Sequence, residues 1–564
     1  MSNMTSTRRA FPALAALLGC ALLAGCESST TVSATGNTAA QFTHVFLTIN
    51  QIWFNTSASA GPTDSSWVKF SLSTPQTIDL VTLNNGTLSQ FASELKLTAG
   101  TYNQVLLMLA DSTDALSTSA QNAGAATNDE VDYLDDSDVA HTVPLAILNA
   151  AEGIGISTSL NVTAAGSTSF GTSTATSSAA STSSTATGVV ATTSAIVDFD
   201  ATRDLVPISL SGQPAFALNP HPRSYSAANA GTIQGSVSLT DVSTVTNAGY
   251  PDVQVSAETL SSDGTRHVIV KTTRVGTDGT FTLYPLSTTS GAPGSYDLVI
   301  HGPAIQTVIL KSVPVTDSAP GASPVLGTLT LTAATPYSVN VASTSPASPT
   351  SSQVGFYQTL PLSSEVPYLV EVRALDPTSG LFASAQELSG GSLQYGTYTS
   401  GTVSLSAATP TQGAGTYAIG ALNAAYGTAA LGTTVAPPAN AATPALFTIT
   451  APPVPSGSSA NAIQGTIAVT TNAFDNAELF LTANGALVAA APLTGYLGNG
   501  QSTLSLAGIA PGGSPSAAYG AGVYYAEVWA WNSANPTGTL TRLPYGSTVD
   551  MSAGNATGVA LQID

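Results

Sequence analysis

The sequence predicts an all-β protein: several antiparallel β-sandwich modules in tandem, with little helix. Three observations predict it. Apolar residues alternate with period two over short runs, as in Val45, Leu47 and Ile49, which is the spacing of a strand and not of a helix. A glycine, one residue and a tyrosine open such runs four times, at Gly100, Gly294, Gly415 and Gly522. Charged residues make up only 8% of the 564 positions, and Ser, Thr, Ala, Gly and Pro fill much of the rest, as in solvent-exposed extracytoplasmic β proteins. This length corresponds to roughly three or four domains.

The N-terminus comes first in order. Arg8 and Arg9 precede an uncharged, mostly apolar run, Phe11 to Leu23, too short to cross a bilayer as a helix and suited to a signal-peptide core. The run ends in Leu23-Ala24-Gly25-Cys26, which resembles the lipobox of bacterial lipoproteins. The resemblance implies that residues 1–25 are removed and that the Cys26 thiol carries a covalent lipid that tethers the chain to a membrane. Cys20 leaves with the signal, so the mature chain has no disulfide. Glu27 follows the anchor where an aspartate would resemble an inner-membrane retention signal, so a Gram-negative source implies the outer membrane. Residues 26–40, rich in small polar side chains, read as a flexible tether.

A first β domain is expected over 41–225. Its opening run places Val45, Leu47, Ile49 and Trp53 on one face and Phe46, Ile52 and Phe54 on the other, so this strand is buried on both sides. Leu88 to Leu97 is the one short helix candidate. Ala164 to Thr187 is almost wholly Ser, Thr, Ala and Gly, and reads as a mobile loop within this domain. The segments Ile78-Asp79-Leu80-Val81-Thr82-Leu83-Asn84-Asn85-Gly86, Leu97-Thr98-Ala99-Gly100-Thr101-Tyr102-Asn103-Gln104-Val105, Val197-Asp198-Phe199-Asp200-Ala201 and Leu218-Asn219-Pro220 resemble a domain family of unknown function found in bacterial lipoproteins, over His44 to about Arg223. That resemblance implies no catalytic residues.

Residues 229–333 form the next module. Gly235, Pro251, Val253, Val255, Ala257, Asp278-Gly279-Thr280-Phe281 and Pro293-Gly294-Ser295-Tyr296-Asp297-Leu298 are similar to a carboxypeptidase regulatory-like domain, the transthyretin-type sandwich. The likeness implies a spacer or binding scaffold. Asp278-Gly279 supplies a turn, after which Phe281 and Leu283 face inward. Two further sandwich-like domains are expected over 334–450 and 456–564. Ile233-Gln234-Gly235-Ser236-Val237 is echoed by Ile463-Gln464-Gly465-Thr466-Ile467, each suiting the first strand of a module. Pro314 to Pro324 and Pro437 to Pro455 read as inter-domain connections.

Chemistry is sparse. Acidic side chains outnumber basic ones 32 to 12, and two of the basic ones, Arg8 and Arg9, leave with the signal. Such a chain repels phosphate backbones, which excludes nucleic acid as a partner. Hydrolase elbows, zinc-protease helices, Cys-x-x-Cys pairs and phosphate loops are missing, and His44, His141, His221, His267 and His301 are scattered. Asp129, Glu130, Asp132, Asp135, Asp136 and Asp138 form a dense acidic run. It reads either as a solvated charge run or as a candidate calcium site, although it lacks the glycine and alternation of a calcium loop. Val523 to Trp531 puts Tyr525, Trp529 and Trp531 on one face with Glu527: a sugar-stacking platform if exposed, a core strand if buried. The expected function is a non-enzymatic structural, adhesive or binding component of the cell envelope, facing a membrane, an envelope polysaccharide or a protein. The alternative is a carbohydrate-active enzyme or a calcium-dependent glycan-binding protein.

Overall fold

The computed structural model describes most of residues 27–563; outside the description lie 1–26, 38–41, 135–138, 164–191, 239–252, 344–351, 375–385, 448–461, 508–522, 533–540 and shorter interruptions. One plan recurs four times along it. Module 1 holds β1 (Glu27–Asn37), β2 (Phe42–Asn55), β3 (Val68–Asp79), β4 (Ser89–Thr98), β5 (Gly100–Leu109), helix α1 (Thr118–Ala123), β6 (Glu130–Leu134), β7 (Ala140–Ala146), β8 (Ile154–Val162), β9 (Thr192–Asp200), the four-residue α2 (Ala201–Asp204), β10 (Leu205–Leu210), β11 (Gln213–Leu218) and β12 (Arg223–Ser226). Module 2 holds β13 (Ala230–Ser238), β14 (Gln254–Leu260), β15 (His267–Arg274), β16 (Thr280–Ser287), β17 (Ser295–His301), β18 (Val308–Pro314) and β19 (Thr328–Thr330).

Module 3 contains β20 (Pro336–Val339), β21 (Val341–Ser343), β22 (Ser352–Gln358), β23 (Tyr368–Ala374), β24 (Gln386–Ser389), β25 (Leu393–Thr399), β26 (Thr402–Val403), β27 (Ser406–Ala408), β28 (Tyr417–Asn423), β29 (Gly427–Thr428), β30 (Thr433–Val435) and β31 (Ala445–Phe447). Module 4 contains β32 (Ala462–Val469), β33 (Asn476–Ala483), β34 (Ala486–Pro492), β35 (Gln501–Ala507), β36 (Val523–Trp531), β37 (Thr541–Leu543), β38 (Thr548–Asp550) and β39 (Ala556–Ile563).

In every module the opening strand lies between one antiparallel and one parallel neighbour. The pairs are β4 and β9 around β1, β16 and β19 around β13, and β35 and β39 around β32. In module 3 the opening strand is split, with β20 antiparallel to β24 and β21 parallel to β31. The facing sheet grows from a hairpin whose first strand also pairs with a later long strand: β2 with β3 and β5, β14 with β15 and β17, β22 with β23 and β28, β33 with β34 and β36. The echo between Ile233 and Ile463 therefore marks equivalent strands. Gly235 and Gly465 share a reason: a Cβ would lie 2.7 Å from the Phe281 ring at the first and 1.7 Å from the Val559 carbonyl oxygen at the second.

The four Gly-x-Tyr tyrosines, Tyr102, Tyr296, Tyr417 and Tyr524, lie at or near the starts of strands, and all are buried. Tyr102 donates to the Thr98 carbonyl at 3.3 Å and Tyr417 to the Ser389 carbonyl at 3.2 Å, so each ring enters the core while its hydroxyl ties down backbone. At the Asp278-Gly279 turn, Gly279 takes φ +81° and the Asp278 carboxylate accepts from the Thr280 amide and hydroxyl. Phe281 and Leu283 face the core there, as the pattern required.

The expected tether is corrected. Glu27–Asn37 is an interior strand, with Val32 and Ala34 fully buried together with Ser28, Thr30 and Thr35. Both neighbours satisfy its backbone, and small hydroxyl side chains can be buried when they bond backbone, as Thr35 does to the Leu83 carbonyl. The helix expected over Leu88 to Leu97 is the strand β4, while the helix observed is α1, capped by the Ser117 side chain. Pro314 to Pro324 lies inside module 2, because β19 beyond it pairs with β13; in Pro437 to Pro455, β31 pairs with β21 of module 3. The Ser/Thr/Ala loop 164–187 lies outside the described residues. Among the described residues no helix is long and apolar enough to cross a membrane.

Candidate functional surface: the module junctions

Cys26, Leu23, Ala24 and Gly25 lie outside the described residues. So do Asp135, Asp136 and Asp138. The rest of the acidic run is not a solvated loop. Asp129 and Glu130 are buried: the Asp129 carboxylate accepts the Thr48 amide at 2.8 Å, and Glu130 accepts the amides of Ala126 and Thr127. Burial raises the Glu130 pKa against those bonds. Among the described residues no three His, Cys, Asp or Glu side chains are placed to hold a metal.

The aromatic platform is likewise corrected. Trp529 is fully buried and Tyr525 nearly so; the Trp531 side chain lies outside the described residues. Tyr524, Ala526, Val528 and Ala530 fill the core of module 4. The opposite face of β36 and β33 meets another module. Trp529 and Phe480, edge to face at 6.4 Å, pack on Ala146, Leu148, Ile208, Ala215 and Ala217 of module 1. Glu527 is buried on this face and Glu478 is half-buried beside Trp529, its pKa pushed up to about 7 by burial.

The other junctions add polar contacts to apolar ones: Ile196 and Tyr225 of module 1 pack with Ala230 and Tyr284 of module 2, and Ile269, Val299 and Ile309 of module 2 pack on module 3. Between modules 1 and 2, Lys271 and Asp198 form a buried salt bridge, with burial raising the Asp198 pKa against the pull of the lysine. Arg223 donates to the Ile269 carbonyl. The Asn84 side-chain oxygen accepts the Thr273 hydroxyl at 3.0 Å and the Arg274 amide at 3.1 Å, and the Asn85 amide donates to the Thr273 hydroxyl. The turn that allows this needs Gly86 at φ +77°, where a Cβ would lie 2.7 Å from Thr282.

Between modules 2 and 3 the sheets join, for β25 pairs in parallel with the edge strand β18. Above that seam His267 stacks on Tyr368 at 3.8 Å, and Tyr368 donates to Asp297 at 2.8 Å. Lys311 pairs with Glu365. Buried Glu258 accepts the Leu369 amide, and its pKa lies well above the usual carboxylate range because of desolvation. Of the histidines, His44 bonds Asp79, His141 stacks on Tyr133, and His221 is outside the description.

A cleft opens where modules 1, 2 and 3 meet, lined by Asp200, Thr202, Gln254, His301, Glu371 and Arg373 among others. Burial and the nearby Arg373 charge push the His301 pKa down to about 3, so its imidazole is neutral at physiological pH. Glu371 is paired with Arg373, and Asp200 accepts the Asn37 side-chain amide. Both carboxylates that reach the cleft are thus engaged, unlike the free base and protonated acid of glycoside hydrolysis. Sequence reasoning missed all these junctions, because each joins residues far apart in the chain; the one local signal was the Asn84-Asn85-Gly86 turn.

Comparison with known proteins bears on module 1. Residues 29–220 match a domain of unknown function, DUF4382. Module 1 is a DUF4382 domain. The match begins inside β1, which agrees with that strand being part of the domain. No curated protein matches the chain. Solved structures with some likeness include a streptococcal ancillary pilin, 11% identical over 59% of this chain and 99% of that one, with a TM-score of 0.14. Two B repeat units of the collagen binding protein of Staphylococcus aureus are 9% identical over 90% and 94%, with a TM-score of 0.10. The major pilin SpaA of Corynebacterium diphtheriae is 11% identical over 75% and 98%, with a TM-score of 0.10. At such scores nothing about this chain follows from the likeness.

Proposed function

We propose that the protein is a non-enzymatic, lipid-anchored structural or binding component of the bacterial cell envelope, carried by Cys26. The observation that supports this reading most is where the sparse charge goes. Lys271, Lys311 and Arg223, with Asp198, Glu258, Asp297 and Glu365, act at the seams between modules, where they bond one module to the next. Charged side chains held in ion pairs set orientation and are not available to move protons. The chain spends its few titratable groups on shape. Module 2 serves on this reading as a carboxypeptidase regulatory-like spacer, and if the source is Gram-negative, Glu27 in place of an aspartate after the anchor assigns the lipidated chain to the outer membrane.

The test is fractionation of the full chain together with a screen against envelope glycans and polymers. Membrane attachment lost in Cys26→Ser, with retention of a polymer and no turnover, is the expected result. Hydrolysis of any glycan that disappears in Glu371→Gln would replace this reading by the enzyme alternative.

A further inference from the structure

We infer that the anchored protein has no spacer, and that the start of β1 clamps one end of module 1 directly onto the lipid headgroups. This rests on the lipid-anchor reading of Cys26. Glu27 is already paired with Thr98 in β4, and Ser29 is paired on both sides, with Lys96 and Thr192. Adjacent Cα atoms are about 3.8 Å apart, so the lipidated residue cannot leave the end of this sheet. A chain held on one side from Glu27 and on both from Ser29 leaves no spacer with which to swing the domain away from its anchor.

The surface at that end fits a bilayer. Its rim is Thr98, Ala99, Gly100, Thr101 and Asn161, all exposed and uncharged. The β2–β3 loop lies on the same side, held to β5 by the Asn103 amide on the Thr56 carbonyl. Acidic groups collect towards the other end. There Asn37 of β1 is paired with Asp200, and Phe46 of β2 with Asp79 and Glu130; Asp129 and Asp132 follow from the same strands, offset in part by Arg223. The anchor half carries Glu27, Asp64 and Glu94 against Lys69 and Lys96. Anionic headgroups repel carboxylates within about a Debye length, so this polarity favours the orientation the clamp imposes.

The experiment uses the acylated full chain in phosphatidylethanolamine and phosphatidylglycerol vesicles with a headgroup-nitroxide lipid. The only native cysteines are Cys20 and Cys26, the first removed with the signal and the second consumed by the lipid thioether, so one introduced cysteine takes a fluorophore selectively. Ala99→Cys and Leu88→Cys flank β4, about 30 Å apart at the rise of a strand. A label at Ala99→Cys, and at Ala58→Cys in the β2–β3 loop, should lose most of its fluorescence, and one at Leu88→Cys none. Inserting a Gly/Ser linker of about ten residues between Cys26 and Glu27 should erase that difference. Equal quenching at Ala99→Cys and Leu88→Cys, with lipid found on the Cys26 peptide by mass spectrometry, overturns the clamp and leaves the anchor. A Cys26 peptide without lipid overturns both.

Discussion

Module 1 meets module 2 through a buried ion pair and hydrogen bonds beside a small apolar cluster, Ile196 and Tyr225 with Ala230 and Tyr284, and meets module 4 through apolar surface. At the first seam Lys271, Asp198 and Asn84 each have a named partner and a fixed direction. At the second, Trp529 and Phe480 lie on alanines, a leucine and an isoleucine. Apolar contact supplies attraction with little direction, while a buried ion pair supplies direction at a desolvation cost that largely cancels its attraction. The two seams should therefore fail differently.

The largest effect is expected at the apolar seam. Trp529→Ala should cost about 3–5 kcal/mol, the usual penalty for truncating a fully buried large aromatic. The loss should fall on the seam, since the core of module 4 uses the opposite face of β36. Limited proteolysis should release module 4 from the rest while its own melting changes less. A variant that melts and is cleaved like the parent would show that this seam contributes nothing.

The polar seam comes next. Lys271→Met leaves Asp198 buried without its cation and should destabilise by about 3 kcal/mol. The double variant Lys271→Met with Asp198→Leu should recover most of that, because it removes the uncompensated charge. Denaturant melts of the two variants decide it. If the double variant is as weak as the single, the pair stabilises on its own account and the contrast between seams collapses.

Which parts of this could be read from the residues follows from what the residues are. Period-two alternation and the Gly-x-Tyr turns report local backbone, so sandwiches, strand starts and the kinship of β13 and β32 were visible. β1 was not, because a run of Ser and Thr is buried only by virtue of two neighbours, β4 and β9, that lie 55 or more positions away in the register. In β4 the buried Phe91 and Leu95 stand four apart, a spacing that a helix shares, because the strand pairing is irregular here and Glu94 takes φ +57°. The aromatic strand offered one apolar face too many for a single sandwich, which is the signature of a seam. Asp129 and Glu130 show the converse: a run of carboxylates looks solvated until backbone amides from β2 and the preceding turn are found to satisfy it.

A smaller, pH-dependent effect separates the seams further. Glu478 in the folded chain titrates near 7, against 4.5 for the ordinary carboxyl. Between those values the unfolded chain releases the proton while the folded one keeps it, so stability falls as pH rises from about 4.5 to 7. Glu478→Gln should remove that slope and raise stability at pH 8 by about 1–2 kcal/mol, after allowance for its partial exposure. Melting temperatures at pH 5 and pH 8 measure it. An unchanged slope would place the pH dependence at other carboxyls, such as Glu258.

The smallest effect belongs to the Asn84 turn. Asn84→Ala removes one side-chain oxygen that serves the Thr273 hydroxyl and the Arg274 amide across the seam, and the Asn85 amide within its own turn. Water replaces part of this at a half-buried site, so the net cost should be about 1 kcal/mol. The loss should be local. Amide hydrogen exchange at Arg274 should speed up while exchange in the interior strands of module 1 stays as it was, because Asn84 lies past the end of the short helical turn Leu80–Leu83 and outside that core. Faster exchange throughout module 1 would mean that the Asn-Asn-Gly turn holds its own domain together. Protection unchanged at Arg274 would leave Lys271 and Asp198 as the groups that set the angle between the first two modules.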